Sequence, residues 1–364
     1  MKKIIIHIAN IELSEEIGMG RVACYWKKEF EKKGYEFIHI GKKETGKTFH
    51  RIFFPYAAYH AYRKLKKKAS LFLIHEPSAA PFLNKDIPVV VFSHGLERRW
   101  WQLALNGKAG ETIKLKSRII FPFSNLRSGD AGLKKANLIL LNNKEDQLFT
   151  QDYYGRKKEA TFIFKNGVYN SGLNEKIQPP DNTILFLGSW LKRKGIVTLV
   201  EAAKIIYSKG LNVKWILAGT GLSEENVLSL WPEEIRKNVE VSPFFRLSEE
   251  KSFLARSNIF VLPSFYEGQP LALLQAMESG RCCITTNSCG QKDLITDNNN
   301  GLLFETGDCN KLAELIIFCL KNKKLRLRLG RNARYSVINR KWDKVSCEIV
   351  KKVGGVINNP GKIK

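Results

Sequence analysis

Pro263-Ser-Phe-Tyr-Glu-Gly-Gln-Pro-Leu-Ala-Leu-Leu-Gln-Ala-Met-Glu-Ser-Gly280 follows the apolar run Asn258-Ile-Phe-Val-Leu262. Together they read as a strand, a tight loop and a short helix. Pro270 suits the first helical turn, where its missing N–H is no loss. Gly280 suits the C-terminal cap, and Leu271, Leu274 and Met277 face a core. Glu267 then lies beside the free N–H groups at the helix start. A carboxylate there is either a satisfied cap or part of a ligand site, because phosphates also bind at such helix starts. An acid beside a phosphate position points to a ligand carrying both hydroxyls and phosphate.

The same alternation extends in both directions. Before the stretch come strand Thr183–Leu187, helix Gly195–Lys209, strand Lys214–Ala218, helix Glu224–Lys237, strand Val239–Ser242 and helix Ser248–Ser257. After it come strands Cys282–Thr286 and Gly301–Glu305, then helices near 310–322, 324–338 and 342–353. The first half repeats the pattern: strand Lys3–Ala9, a loop ending in Gly18-Met-Gly-Arg21, helix Val22–Lys33, strand Tyr35–Ile40, helix Pro55–Lys68, then strands Ser70–His75, Pro88–Phe92, Asn137–Leu141 and Thr161–Phe164. Continuous apolar strands alternating with helices indicate parallel sheets covered on both faces. The expected fold class is α/β: two doubly wound, Rossmann-like domains facing a cleft, with ligands beyond the carboxyl ends of the strands. The expected boundaries are 1–168, a linker at 169–182 marked by Asn170, Gly172, Pro179 and Pro180, a second domain at 183–338, and a returning helix and tail at 339–364.

The 364 residues suffice for two substantial cores, and the hydrophobic content of 44% is that of a soluble globular chain. The net charge of +25, heavier in the first half, suits polyanionic or phosphorylated partners or a lysine-rich solvated surface. No nucleic-acid recognition motif accompanies it. The seven cysteines form no Cys-x-x-Cys pair and read as reduced, buried thiols in a cytosolic protein. The N-terminal apolar run is too short for a signal h-region, no run is long enough to span a bilayer, and no metal-ligand spacing is present.

Four loops are expected at the cleft. Gly18-Met-Gly-Arg21 lets a backbone approach a ligand, although Gly-x-Gly at a strand–helix turn is common. His94, in Ser93-His94-Gly95 at a strand end, either donates to a substrate oxygen or is structural. In Gly188-Ser-Trp-Leu-Lys-Arg-Lys194-Gly195, three cations precede a helix N-terminus, which suits an anion or a solvated basic loop. Glu267 supplies the fourth. Gln275 lies about five positions into its helix, roughly 7–8 Å along the axis at about 1.5 Å per residue. It either meets the far end of a sugar-nucleotide or is an exposed helix residue.

At these loops the sequence resembles the retaining glycosyltransferases of family 4, which have the GT-B fold. Ile184–Asp308 carries most of the likeness. Phe186–Gly195 is similar to that family's first donor-domain strand and phosphate loop, 263–277 to its acid-x7-acid segment, and Asn300–Asp308 to the turn and strand that follow. Gly18–Arg21, Ser93–Gly95, Lys165–Val168 and Arg340–Trp342 match weaker features. The resemblance implies an enzyme, hexosyltransferase-like, that moves a sugar from a UDP- or GDP-sugar, bound by the second domain, to a glycan or lipid-linked saccharide, bound by the first, during cell-surface polysaccharide synthesis, retaining anomeric configuration. It implies no cofactor and no metal. Lys194 would hold the donor phosphates, Glu267 the transferred sugar's hydroxyls, and His94 would lie near the reacting sugar. Gly20 would approach the phosphates and Phe244 the base. Gly268, Pro270 and Leu271 would present the helix start to the diphosphate. Two positions depart from the family: Gln275 replaces an acid that binds ribose, and Ser189 stands where many members have a phosphate-clamping arginine, with Arg193 nearby to compensate. Weaker donor binding follows, since charge-assisted bonds are roughly twice as strong as neutral ones. The alternative is a non-catalytic sugar- or nucleotide-binding homologue acting as a partner subunit.

Phe53-Phe-Pro-Tyr-Ala-Ala-Tyr-His-Ala-Tyr-Arg-Lys-Leu-Lys-Lys-Lys68 is aromatic and then basic, and Arg98-Arg-Trp-Trp101 adds a second such cluster. Both fit an interfacial helix or an ordinary helix with a charged end. Peripheral contact with an anionic membrane, at the inner face of the cytoplasmic membrane, is the partner expected beside donor and acceptor; nucleic acid is not.

Overall fold

The structure, a computed structural model, describes residues 2–16, 18–46, 51–83, 86–173, 179 and 182–359. It divides into two units. The first carries the chain up to Leu105, Ile113–Gly167 and the final helix; the second carries Asn106–Thr112 and Val168–Lys341.

The first unit has one parallel sheet of six strands: β1 (Ile4–Ile8), β2 (Glu36–Ile40), β3 (Leu71–His75), β4 (Val89–Phe92), β5 (Leu138–Leu141) and β6 (Thr161–Ile163), in the order β2-β1-β3-β4-β5-β6. The second unit repeats the plan with β7 (Thr183–Leu187), β8 (Lys214–Ala218), β9 (Val239–Ser242), β10 (Ile259–Leu262), β11 (Cys282–Thr286) and β12 (Leu302–Phe304), ordered β12-β11-β10-β7-β8-β9. Every residue of β4, β5, β7, β10 and β11 is buried, as strands covered on both faces require. The strand order reverses between β1 and β3 and again between β7 and β10. At such a reversal successive connections leave in opposite directions and open a crevice at the carboxyl ends of the strands.

The final helix, Trp342–Asn358, closes the first unit. The Trp342 ring stacks on Tyr25 with centroids 4.5 Å apart. Gly167 is needed beside it, since a Cβ there would lie 2.5 Å from the indole.

Several expectations need correcting. Gly18–Arg21 is no loop: the helix starts at Gly18 and runs to Lys32. The helix expected at 55–68 spans Phe54–Lys64, and Lys66 is left-handed (φ 49°). The helix expected at 224–237 is two short ones, Glu224–Leu228 and Glu233–Arg236. Pro232 parts them, because proline lacks the N–H and disfavours a helical residue before it. Helices at Glu97–Leu105, Leu115–Phe121, Arg127–Lys135 and Lys144–Tyr154 were not anticipated. Four of the seven free cysteines are buried; Cys24, Cys309 and Cys347 are half-buried. Within the expected linker, residues 174–178, 180 and 181 lie outside the described residues. Residues 169–171 are tied to the second unit: the Tyr169 hydroxyl bonds Glu250, and the Ser171 N–H donates to Glu278 at 3.1 Å.

Candidate functional site

The reversal between β7 and β10 brings two sequence-distant loops together. After β7 the chain runs through Gly188 and Ser189 into the one-turn helix Lys192–Lys194, and the helix Ile196–Ser208 begins. After β10 it runs through Pro263 to Glu267, and the helix Leu271–Glu278 begins. The Phe265 N–H donates to the Arg193 carbonyl at 2.9 Å. Gly195 has φ 73°, and a Cβ there would lie 2.0 Å from the Pro263 carbonyl oxygen. Only glycine permits that approach at that φ.

This packing joins Lys194 to Glu267. The ammonium donates to the Glu267 carboxylate, with side-chain exposures of 16% and 11%. Burial pushes the Glu267 carboxyl up, but the Lys194 charge and hydrogen bond, with the Arg193 charge, outweigh it and hold the pKa below the ordinary carboxylate range. Arg193 also lies 4.0 Å from Glu111. Neither Gly195 nor Pro270 caps its helix with a side chain. Two helix N-termini and two cations therefore converge where an anion is favoured.

The other expected donor residues are less uniform. Ser189 is exposed, whereas Gly268, Pro270 and Gln275 are buried and Leu271 half-buried. The Phe244 ring is 80% exposed beyond β9. Gln275 is not an exposed helix residue. It is 3% exposed, and its Nε2 donates to the Tyr169 carbonyl at 3.1 Å and to Glu278 at 3.4 Å.

Gly20 and His94 belong to the first unit. Gly20 is buried because a Cβ would lie 2.5 Å from the Glu12 carbonyl oxygen, so its close approach is to the protein's own loop. His94 Nδ1 lies 3.1 Å from Asn142 Oδ1. With a carbonyl oxygen as partner, Nδ1 carries the proton and Nε2 presents a lone pair. In that tautomer Nε2 is the hydrogen-bond acceptor of the ring. Burial lowers its pKa to about 4, the Asn142 bond opposing, so the ring is neutral near pH 7.

Sequence reasoning missed the support beneath Glu267. Ser288 Oγ donates to the Phe265 carbonyl at 2.9 Å, Gln291 Nε2 donates to the Ser264 carbonyl at 3.0 Å, and the Gly290 N–H donates to the Glu267 carbonyl at 3.1 Å. A Cβ at Gly290 would lie 1.6 Å from the Gly268 oxygen. The available signal was Ser288-Cys-Gly-Gln291 directly after a buried strand. Among the described residues, no group of three or more His, Cys, Asp or Glu could hold a metal ion, and no helix is long and apolar enough to cross a membrane.

Residues 174–336 match the family model for glycosyl transferases group 1. The likeness to that family is confined to this part of the chain. It covers both loops, the Lys194–Glu267 pair and the 288–291 support. The chain is 32% identical over 174 residues to the capsular polysaccharide biosynthesis glycosyltransferase CapM of Staphylococcus aureus, covering 47% of this chain and 46% of that one. It is 23% identical over 249 residues to an Escherichia coli UDP-Gal:alpha-D-GlcNAc-diphosphoundecaprenol alpha-1,3-galactosyltransferase, covering 65% and 63%. The match thus spans less than two thirds of either relative. Across the whole chain, the structure superposes on WaaG, a glycosyltransferase involved in lipopolysaccharide biosynthesis, with a TM-score of 0.78 at 16% identity, covering 96% of this chain and 100% of that one. That likeness concerns the fold, which is the GT-B fold expected from the sequence.

Proposed function

We propose that this protein is a retaining glycosyltransferase of family 4 that moves a sugar from a UDP- or GDP-sugar to a glycan or lipid-linked saccharide, without a metal. The observation that carries this reading is the half-buried Lys194–Glu267 pair at the strand-order reversal of the second sheet, beside two helix N-termini without side-chain caps. Lys194, Arg193 and the N–H groups at the starts of the two helices hold the diphosphate and stabilise the charge that grows as it departs. Glu267 accepts hydrogen bonds from the transferred sugar. The anomeric carbon–diphosphate bond breaks, the acceptor oxygen bonds to that carbon on the same face, and the acceptor's proton passes to the departing diphosphate oxygen. His94, neutral with Nε2 open as an acceptor, orients a sugar hydroxyl. Gln275, where the family has an acid, spends its amide on the Tyr169 carbonyl and Glu278, and Ser189 leaves phosphate clamping to Arg193.

One relative's place in capsular polysaccharide biosynthesis and the other's diphosphoundecaprenol-linked acceptor support a cell-surface saccharide acceptor. The first unit supports a membrane-side location. Leu115, Ile119, Ile120 and Phe123 are 60–76% exposed on one short segment that also carries Lys114, Lys116 and Arg118. An apolar face with cations at its edges fits an anionic bilayer, each cation adding about 1 kcal/mol near the surface. Arg98–Trp101 does not contribute as expected. Arg98 is paired with Asp130, Arg99 with Glu145 and Asp146, and Trp101 is buried.

Incubation with UDP- and GDP-sugars tests the activity. Donor turnover by the wild type and its loss in Glu267→Ala are expected, with retention read from the anomeric proton of the product. Absence of binding to every nucleotide-sugar would overturn the reading. Sedimentation with phosphatidylglycerol vesicles tests the location: binding is expected, weakened by Ile119→Asp. No binding at low salt defeats it.

A further inference from the structure

The second sheet has a cavity of about 110 Å³ at its other end, where β10 and β11 begin, away from Lys194 and Glu267. The Ser279-Gly280-Arg281 turn and the helix Lys323–Val337 wall it. Arg281, Arg326 and Arg331 line it, and none of its described lining residues is acidic. The helix supplies two of these arginines. It carries six lysines and arginines and no acid, so it offers them no counter-charge of its own. Its seat on the turn is fixed, because a Cβ at Gly330 would lie 2.2 Å from the Gly280 oxygen.

Arg281 is the unusual member. It is 7% exposed. Its Nε donates to the Ser279 carbonyl at 2.9 Å and its Nη1 to the Ser257 carbonyl at 3.0 Å. These neutral oxygens orient the guanidinium but leave its charge uncompensated, and among the described residues no carboxylate pairs with it. Nη2 makes no hydrogen bond to a described residue and is not sealed from solvent, so it opens on the cavity. Burial lowers the Arg281 pKa; Cys283 opposes this and the Arg334 charge adds to it. The side chain nevertheless stays charged at neutral pH, as arginine does. Arg326 is 6% exposed, and its Nη1 donates to the Cys319 and Leu320 carbonyls at 2.8 and 2.7 Å. Arg331 stands exposed at the rim. A buried cation without a counter-charge, as Arg281 is, costs free energy, and an anion in the cavity offsets that cost.

We propose that this cavity binds a phosphate group, free or carried by a small metabolite or a lipid. Its size suits a single tetrahedral oxyanion and not a nucleoside. A carboxylate is planar, carries one charge and matches one guanidinium. Three guanidiniums arriving from the turn and from two places on the helix match oxygens that point in several directions. The site lies a strand's length, roughly 15 Å at about 3.3 Å per residue, from the loops at the carboxyl ends of β10 and β11. A phosphate here therefore does not compete with a ligand held by Lys194, and the inference stands without the glycosyltransferase reading.

Calorimetry on the full-length protein tests this with inorganic phosphate and glycerol 3-phosphate at constant ionic strength. Acetate serves as the planar monoanion, and UDP and GDP are titrated in parallel. Sedimentation with phosphatidic acid vesicles covers the lipid source. Phosphate should bind saturably and acetate should not. Arg281→Lys, which keeps the charge but loses the fork, and Arg331→Gln should each weaken phosphate binding about tenfold, the equivalent of one charge-assisted hydrogen bond. Lys194→Met should leave phosphate affinity unchanged, and Arg331→Gln should leave nucleotide affinity unchanged. Circular dichroism melts check folding, and the exposed Arg331 carries the test if the Arg281 variant does not fold. Vesicle binding that Arg331→Gln weakens, with no binding of either soluble phosphate, assigns the group to a lipid headgroup. Equal binding of acetate, undiminished phosphate affinity in Arg331→Gln, or no binding of phosphate in solution or on vesicles would each overturn the proposal. So would loss of phosphate binding in Lys194→Met alone, which places the ion at the donor loops. If neither nucleotide binds while phosphate binds as described, the glycosyltransferase reading falls and this site stands; if a nucleotide binds and phosphate does not, only this site falls.

Discussion

Lys194→Met should reverse the sign of the pH dependence that Glu267 contributes to stability. In the wild type the Glu267 pKa lies below its ordinary value. Its contribution is therefore present above the unfolded pKa, about 4.3, and is lost as pH falls through the folded pKa. Removing Lys194 leaves a carboxylate whose side chain is only 11% exposed and has lost its main counter-charge. Breaking a buried pair from one side costs about 3–5 kcal/mol. Protonation of Glu267 limits that cost, and the remaining Arg193 charge reduces it, so about 3 kcal/mol at pH 7.5 is expected. Burial now dominates, the Glu267 pKa rises, and lowering the pH from 7.5 towards 5 should restore stability to the variant. For a unit of this size, 3 kcal/mol corresponds to a melting shift of roughly 6–12 °C. Urea unfolding across pH 5–8 reads the effect, and the double variant Lys194→Met/Glu267→Gln should recover most of the loss, because no buried charge remains. The reasoning fails if the two single substitutions add in the double variant, or if Lys194→Met loses stability on acidification just as the wild type does.

Four other outcomes follow from the same geometry. Gln275→Glu would place a second carboxylate against Glu278 and an acceptor against the Tyr169 carbonyl, at a cost of about 2–3 kcal/mol in unfolding free energy; a neutral or stabilising effect contradicts the bonding described. Gly195→Ala should destabilise far more than Gly210→Ala: both glycines have φ near 70°, but a Cβ meets Pro263 at the first and nothing within 4 Å at the second, where about 1 kcal/mol is expected. His94, with a pKa of about 4, and His75, at about 3, are held low by burial. Unfolded histidines bind protons near pH 6.5, so the stability these two contribute is present above that value and is lost as pH falls, by about 1.4 kcal/mol each at pH 5.5. Glu76, whose pKa is raised, acts in the opposite sense over this window, so the reading is the difference in urea midpoint between wild type and His94→Gln, which should shrink on acidification. The cognate nucleotide, UDP or GDP, at a hundredfold excess over its dissociation constant should stabilise the protein by about 2.7 kcal/mol, and denaturation scans with no shift at millimolar UDP and none at millimolar GDP refute the donor site.

The amino-acid sequence by itself determined the two sheets and the loops of the candidate site. Apolar strand runs, the glycine at 195 and the proline at 270 act through the local backbone, and local signals survive in any register of reading. Lys194 and Glu267, 73 residues apart, were legible as members of two strand-end loops of one cleft, but their ion pair was not, because the strand order that sets the loops side by side exists only in the folded sheet. Tertiary structure decided what local patterns do not carry. Gln275 looks like a ribose contact or a surface residue until the Tyr169 carbonyl, 106 positions away, takes its amide proton. Gly20 looks like a phosphate-facing glycine until the Glu12 carbonyl is found against it. Glu76 is one acid among many in the sequence; only folding strips its water and sets Glu97 beside it. A side chain's charge state and partner depend on solvent exclusion by residues distant in the chain, and that exclusion exists only once the chain has packed.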